Sequence, residues 1–256
     1  MAKLPNIDTS RPGVRGSLTR NVKAMAERAT PQQVEDGRLW YPKVNEAVAK
    51  GIRGTSMSPI HGAGIVAAVS PNMDWEKRNI DAFKELGSLR ESDWHNILVN
   101  KDRSSIQGMG INSASDSNLL KAYRIQRGEH PDEVLPRQTA PKTNAFAHNI
   151  NLEPDHVTID GRAHDIAANR MQGWEQGRGI GSASLKTGKT TRYEHFEQAY
   201  QNAAKSLGMT GYETQAVTWV RGKAEERMGT TKSGQPRQQG PARRGQSYDQ
   251  HLRENT

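Results

Sequence analysis

Residues 141–165 read PKTNAFAHNINLEPDHVTIDGRAHD, an apolar, helix-like run with Lys142 at its start and Asp160 18 residues further on. An amine and a carboxylate at the two ends of a buried element allow two arrangements. In one, the run is a helix that merely begins with a basic residue, and Asp160 is the N-cap of the following segment, GRAHDIAANR. In the other, the chain returns on itself and brings Lys142 and Asp160 together at the mouth of a cleft, pairing a cation or amine nucleophile with a fixed negative charge.

Other chemistry-bearing patterns lack their context. LKTGKTTR ends like a phosphate-binding loop, but Ala183 stands where the first glycine is needed and no strand precedes it. His148, His156 and His164 fall in no metal-ligand spacing, so capping or core roles are expected and no metal site is assigned. The five tryptophans are expected to be core anchors rather than a base-stacking platform. The chain has no cysteine, which removes disulfides, cysteine-ligated iron–sulfur clusters and thiol nucleophiles.

The elements that must position these residues read as helices. Ser17 can cap a helix reaching Ala29, and Thr30-Pro31 opens the next. GAGIVAAV has no polar face and reads as a buried core helix; after a break at Ser70-Pro71-Asn72 a second helix runs through Leu86. Asp116 can cap a helix to about Arg127, and Tyr193–Leu207 and Glu213–Met228 are the last amphipathic helices. Val157–Ile159 is the only short β-branched run, so the fold class is all-α with roughly eight to ten helices. The expected organisation is a loosely ordered N-terminus over 1–14, a helical domain over 15–228 containing a Gly/Ser/Thr-rich loop at 173–190, and a basic, disordered tail over 229–256.

Composition bounds the partners. Only 33% of the 256 residues are hydrophobic, and the formal charge is +8; the mean hydropathy is −0.86 and the pI near 9.7. Such a surface attracts polyanions, nucleic acid first. No stretch approaches a membrane span, and MAKLPNIDTSRPG lacks the centre of a signal peptide, so a cytoplasmic protein is expected.

Four segments fall in one order: AAVSPNMDWEKRNIDAFKEL, SDSNLLKAYRIQRG, LPRQTAPKTNAFAHNI and VTIDGRAHDIAANR. Together, over roughly residues 60–172, they resemble the helix–hairpin–helix DNA glycosylase superfamily, its endonuclease III-like branch above all. The flanking helices resemble those of uncharacterised phage-encoded proteins with a similar core. The resemblance implies a two-lobed helical bundle acting on double-stranded DNA without a cofactor. It also implies a pair of catalytic residues: Asp160, stabilising positive charge on the deoxyribose or activating the nucleophile, and Lys142, the amine that attacks C1′. Asn72 matches the side chain that fills the stack vacated by a flipped base, and Arg162 stands where the family has a histidine. The family's hairpin glycines are absent. Pro136-Arg137-Gln138-Thr139-Ala140 takes their place, so a DNA phosphate would be held by Thr139 and the free amides at Lys142 and Thr143. Two other functions fit the same features: a non-catalytic DNA-binding protein on this scaffold, and a structural or interaction protein of a phage.

Overall fold

The structure, a computed structural model, describes residues 7–71, 86–108, 114–169 and 193–228. The chain forms two compact units. The first comprises Met1–Tyr41 and Pro154–Arg243, the second Pro42–Glu153 and Arg244–Thr256. Among the described residues there is no strand, and ten α-helices are present with one 3-10 turn at Ser104–Ile106. The all-α class therefore holds, and no described helix is long and apolar enough to cross a membrane.

The first unit is built from α1 (Pro12–Glu27), the first half of α2 (Pro31–Gly51), α8 (Gly161–Ala167), α9 (Tyr193–Leu207) and α10 (Gly211–Met228). Helix α1 packs on α8, α9 and α10. Its apolar stripe, Leu18, Val22, Met25 and Ala26, is buried at helical spacing. The helix starts five residues before the Ser17 expected to cap it. Pro12 opens it with its φ already set, and the Ser17 hydroxyl instead donates to Gly13 O (3.0 Å) inside the first turns. Thr30 does open α2: its hydroxyl accepts from Gln33 N (3.3 Å), while Gln33 Oε1 accepts from Thr30 N (2.9 Å), a reciprocal cap.

The second unit contains the rest of α2, then α3 (Pro59–Val69), α4 (Glu91–Leu98), α5 (Asp116–Gln126), α6 (Pro131–Val134) and α7 (Pro141–Ile150). Helix α3 is its centre. Every residue from Gly62 to Val69 is buried, and the helix packs on α5, α6 and α7, as its lack of a polar face requires. Gly64 lets α6 come close to α3, since a Cβ there would lie 2.7 Å from Pro131 Cγ. Helix α5 begins as expected, except that Ser115 and not Asp116 is the cap: Ser115 Oγ accepts from Asn118 N, and Asp116 turns to Arg103 and Lys101. Asn72, most of the helix expected to end at Leu86, the 173–190 loop with Ala183, and the tail from residue 229 lie outside the described residues.

Candidate functional site

Lys142 stands in the first turn of α7, which follows α6 through the turn 136–140. Thr139 N and Ala140 N both donate to Pro136 O (3.0 and 2.8 Å), closing the turn that replaces the glycine hairpin. Ala140 provides no side-chain cap and Pro141 has no amide proton. The turn is fastened from beneath by Asn144, which is 3% exposed and donates to Leu135 O (3.0 Å) and Asp132 Oδ1 (2.8 Å). One turn further, His148 bridges two carboxylates: Nε2 faces Asp132 Oδ1 at 2.8 Å and Nδ1 faces Glu153 Oε2 at 2.7 Å. Glu153 reaches this position because Leu152 adopts a left-handed φ of 62°, folding the chain back so that Glu153 N donates to His148 O (3.0 Å). Asn151 Nδ2 donates to the other Glu153 oxygen at 2.8 Å. Burial acts to raise the Asp132 carboxyl, but hydrogen bonds from His148 and Asn144 outweigh it and hold the group below its usual range. This network fixes α7 on its inner side. Lys142 and Thr143 are half-buried and Thr139 is exposed, and Lys142 Nζ makes no hydrogen bond or ion pair to a described residue of its unit.

Asp160 belongs to the first unit, at the end of the β-branched run. Val157 and Ile159 are fully buried, yet no second strand pairs with them among the described residues. Side chains of α9 satisfy the backbone instead. Glu197 Oε1 accepts from Val157 N (2.9 Å), and the Tyr193 hydroxyl accepts from Ile159 N (2.9 Å) while donating to Val157 O (2.8 Å). The segment thus delivers Asp160 to the N-cap of α8, where Oδ1 accepts from Ala163 N at 2.7 Å. The carboxylate is half-buried, and Oδ2 has no hydrogen bond or ion pair to a described residue of the unit.

The surroundings of this cap are polar for a protein interior. Tyr41 donates to Gln215 Oε1 (3.0 Å) and Tyr200 to Ala163 O (3.0 Å), and both rings are buried. Burial pushes both phenols well above the usual tyrosine range, and the Asp160 charge pushes them in the same direction, joined for Tyr200 by Asp165. His164 Nδ1 lies 2.9 Å from Asp165 Oδ1, with the imidazole against the Phe196 ring (centroids 4.7 Å apart). His164, 4% exposed, thus takes the core role expected of it. Arg162, expected at a DNA surface, is only 8% exposed; its guanidinium lies over the Trp219 ring, 4.8 Å from the centroid.

Lys142, Thr139 and Thr143 therefore belong to the second unit, Asp160 and Arg162 to the first, and Asn72 lies outside the described residues. Sequence reasoning missed the Tyr193–Glu197 tether and the Trp219 contact. The Tyr and Glu at i and i+4 of α9 were a readable sign of a shared inward face. A separate open cavity of about 620 Å³ lies in the first unit at the start of α1, lined by Arg11, Ser17, Asn21 and Ala168 among others, beyond the end of α8 opposite Asp160. No curated protein and no solved structure matches the chain. Residues 5–227 match the model of DUF7178, a family of unknown function, and the chain belongs to that family.

Proposed function

We propose that the chain is a DNA-acting enzyme that processes a flipped base at its N-glycosidic bond, with Asp160 as the charged group beside the sugar. The observation that carries this is the Asp160 carboxylate itself. It is fixed through Oδ1 by the α8 cap and half-buried, and it leaves Oδ2 uncommitted within its unit. A preorganised carboxylate of this kind stabilises the positive charge that develops at C1′ as the C1′–N bond breaks. The electron pair of that bond leaves with the base, water adds at C1′, and the proton that water loses passes to Asp160 or to solvent. The formal charge of +8 supports a polyanionic substrate. Lys142, uncommitted within its own unit, is taken as a cation for a DNA phosphate unless trapping shows it to be an amine nucleophile.

The test is incubation of the full chain with duplexes carrying damaged and modified bases, scored for abasic sites. Asp160→Asn is expected to slow base release by about 10²-fold or more while leaving DNA affinity intact. Borohydride trapping of a protein–DNA adduct that disappears in Lys142→Gln gives Lys142 the nucleophile's role; without trapping it is a phosphate ligand. Base release undiminished in Asp160→Asn places the chemistry elsewhere. Tight DNA binding with no release from any duplex favours a binding protein in which Asp160 is a helix cap alone.

A further inference from the structure

We propose that Tyr193, Glu197 and Tyr200 of α9 are positioning residues for Asp160, and that the rate of base release is set through the frame they hold; the role rests on the reading of Asp160 above. The three side chains stand at i, i+4 and i+7 of one helix, so they share a face. All three are buried, Glu197 at 4% exposure. Each directs a polar group to the main chain around Asp160. Val157 N donates to Glu197 Oε1 (2.9 Å), and Ile159 N donates to the Tyr193 hydroxyl (2.9 Å), which itself donates to Val157 O (2.8 Å). The Tyr200 hydroxyl donates to Ala163 O (3.0 Å), on the far side of Asp160.

The two elements match in spacing. Four residues of α-helix rise about 6 Å, and two residues of extended chain span about 6.6 Å. Positions 193 and 197 of α9 therefore meet positions 159 and 157 in register, and the main-chain groups of alternate residues in an extended chain point to the same side. After Ile159 the chain turns at Asp160 into α8, and Ala163 O returns to the same face of α9. Asp160 thus stands at a bend whose two arms are both tied to one helix. Its cap on Ala163 N (2.7 Å) fixes the carboxylate relative to α8, and the α9 face fixes the bend relative to the unit. Burying a carboxyl group is costly unless it is hydrogen-bonded, so packing alone does not account for Glu197 in this stripe. Preorganisation does, because a charge that stabilises C1′ loses about 10²-fold in rate when it is displaced by about 1 Å. The three side chains act through Asp160 and not on the substrate.

The experiment uses the full chain on the duplex from which the wild type releases a base. Single-turnover rate, KM and thermal melting are measured for each variant, with amide hydrogen exchange at Ile159 as a readout independent of activity. Tyr193→Phe keeps the ring and loses both bonds of the hydroxyl. It is expected to lower the rate about 10- to 100-fold while KM stays within about two-fold, and to speed exchange at Ile159. Glu197→Leu should lower the rate similarly, and Glu197→Gln, which returns an acceptor for Val157 N, should recover most of that loss. A merely structural role lowers the melting temperature and leaves the rate of the folded chain unchanged. That result in Tyr193→Phe overturns the proposal, whether or not Glu197→Leu folds. A rise in KM at unchanged rate overturns it as well, since the loss then belongs to binding. A wild-type chain that releases no base from any duplex overturns the role together with the reading of Asp160. An active wild type beside a Tyr193→Phe chain that keeps its rate overturns the role alone.

Discussion

Asp160 does two separable things, and substitutions can part them. As an N-cap it accepts the Ala163 amide, a role asparagine fills about as well. Asp160→Asn should therefore melt close to the wild type, whereas Asp160→Ala should lose about 1 kcal/mol in denaturant unfolding. Equal losses in the two variants would mean that the negative charge, not the cap, stabilises the fold. This cap was legible in the sequence because it is local: an aspartate before Gly-Arg-Ala announces a helix start within four residues. The bridge at His148 was not, since Asp132 lies 16 residues upstream and Glu153 meets the ring only through the left-handed Leu152. The burial of Arg162 was not legible either: a long stem can be buried with the guanidinium spread on an indole from another helix, and nothing in the residues beside it names that indole.

At the scale of elements, legibility followed the strength of the apolar stripe. Helix α9 was readable end to end because Tyr193, Phe196, Ala199, Tyr200, Ala203 and Ala204 repeat every three or four residues. Helix α4 was missed, since its eight residues bury only Trp94 and Ile97, too few for a period. The extended run 157–160 was noticed, but that α9 side chains would serve it in place of a neighbouring strand could not be read from the run itself. Close approaches between helices are equally invisible, and the glycines that allow them make a prediction. Alanine normally stabilises a helix interior relative to glycine by about 0.5–1 kcal/mol. Gly16→Ala should gain about that, since its only near neighbour is the mobile Arg20 Nη1 at 3.4 Å. Gly64→Ala should instead lose about 1–3 kcal/mol, because the new methyl would meet the rigid Pro131 ring at 2.7 Å. Gly37→Ala should lose at least as much, facing Val217 Cα at 2.5 Å. Chemical denaturation of the three variants checks the signs, and a stabilised Gly64→Ala would mean that α3 and α6 can separate freely.

On the scale of the whole molecule, the two units carry opposite ionisation signatures. In the second, Asp132 titrates below its ordinary 3.8 because His148 and Asn144 hydrogen-bond its ionised form against the opposing effect of burial. Its contribution is present above 3.8 and is lost as pH falls through the lower folded value. In the first unit the signs reverse. Burial holds Tyr41 and Tyr200 protonated well above 10.0, so above that pH the unfolded chain releases protons that the folded unit keeps. Stability must then fall as pH rises, by about 1.4 kcal/mol per pH unit for each phenol over the interval between the unfolded and folded values. Denaturant unfolding followed from neutral pH upward should show this loss begin near 10.0. Tyr41→Phe and Tyr200→Phe each remove a hydrogen bond, to Gln215 and to Ala163 O, and should cost about 1 kcal/mol at neutral pH. Each should also flatten the alkaline limb by one proton, so that the variants overtake the wild type at high pH. Asp160→Asn should leave the start of the same limb near 10.0 but end it at a lower pH, so that less stability is lost in total. Removing the Asp160 charge lowers the cost of ionising both phenols in the fold, which brings their folded values closer to the unfolded one. An alkaline limb unchanged in all three variants would mean that other groups govern it, and that the Asp160 carboxylate does not reach the two phenols electrostatically.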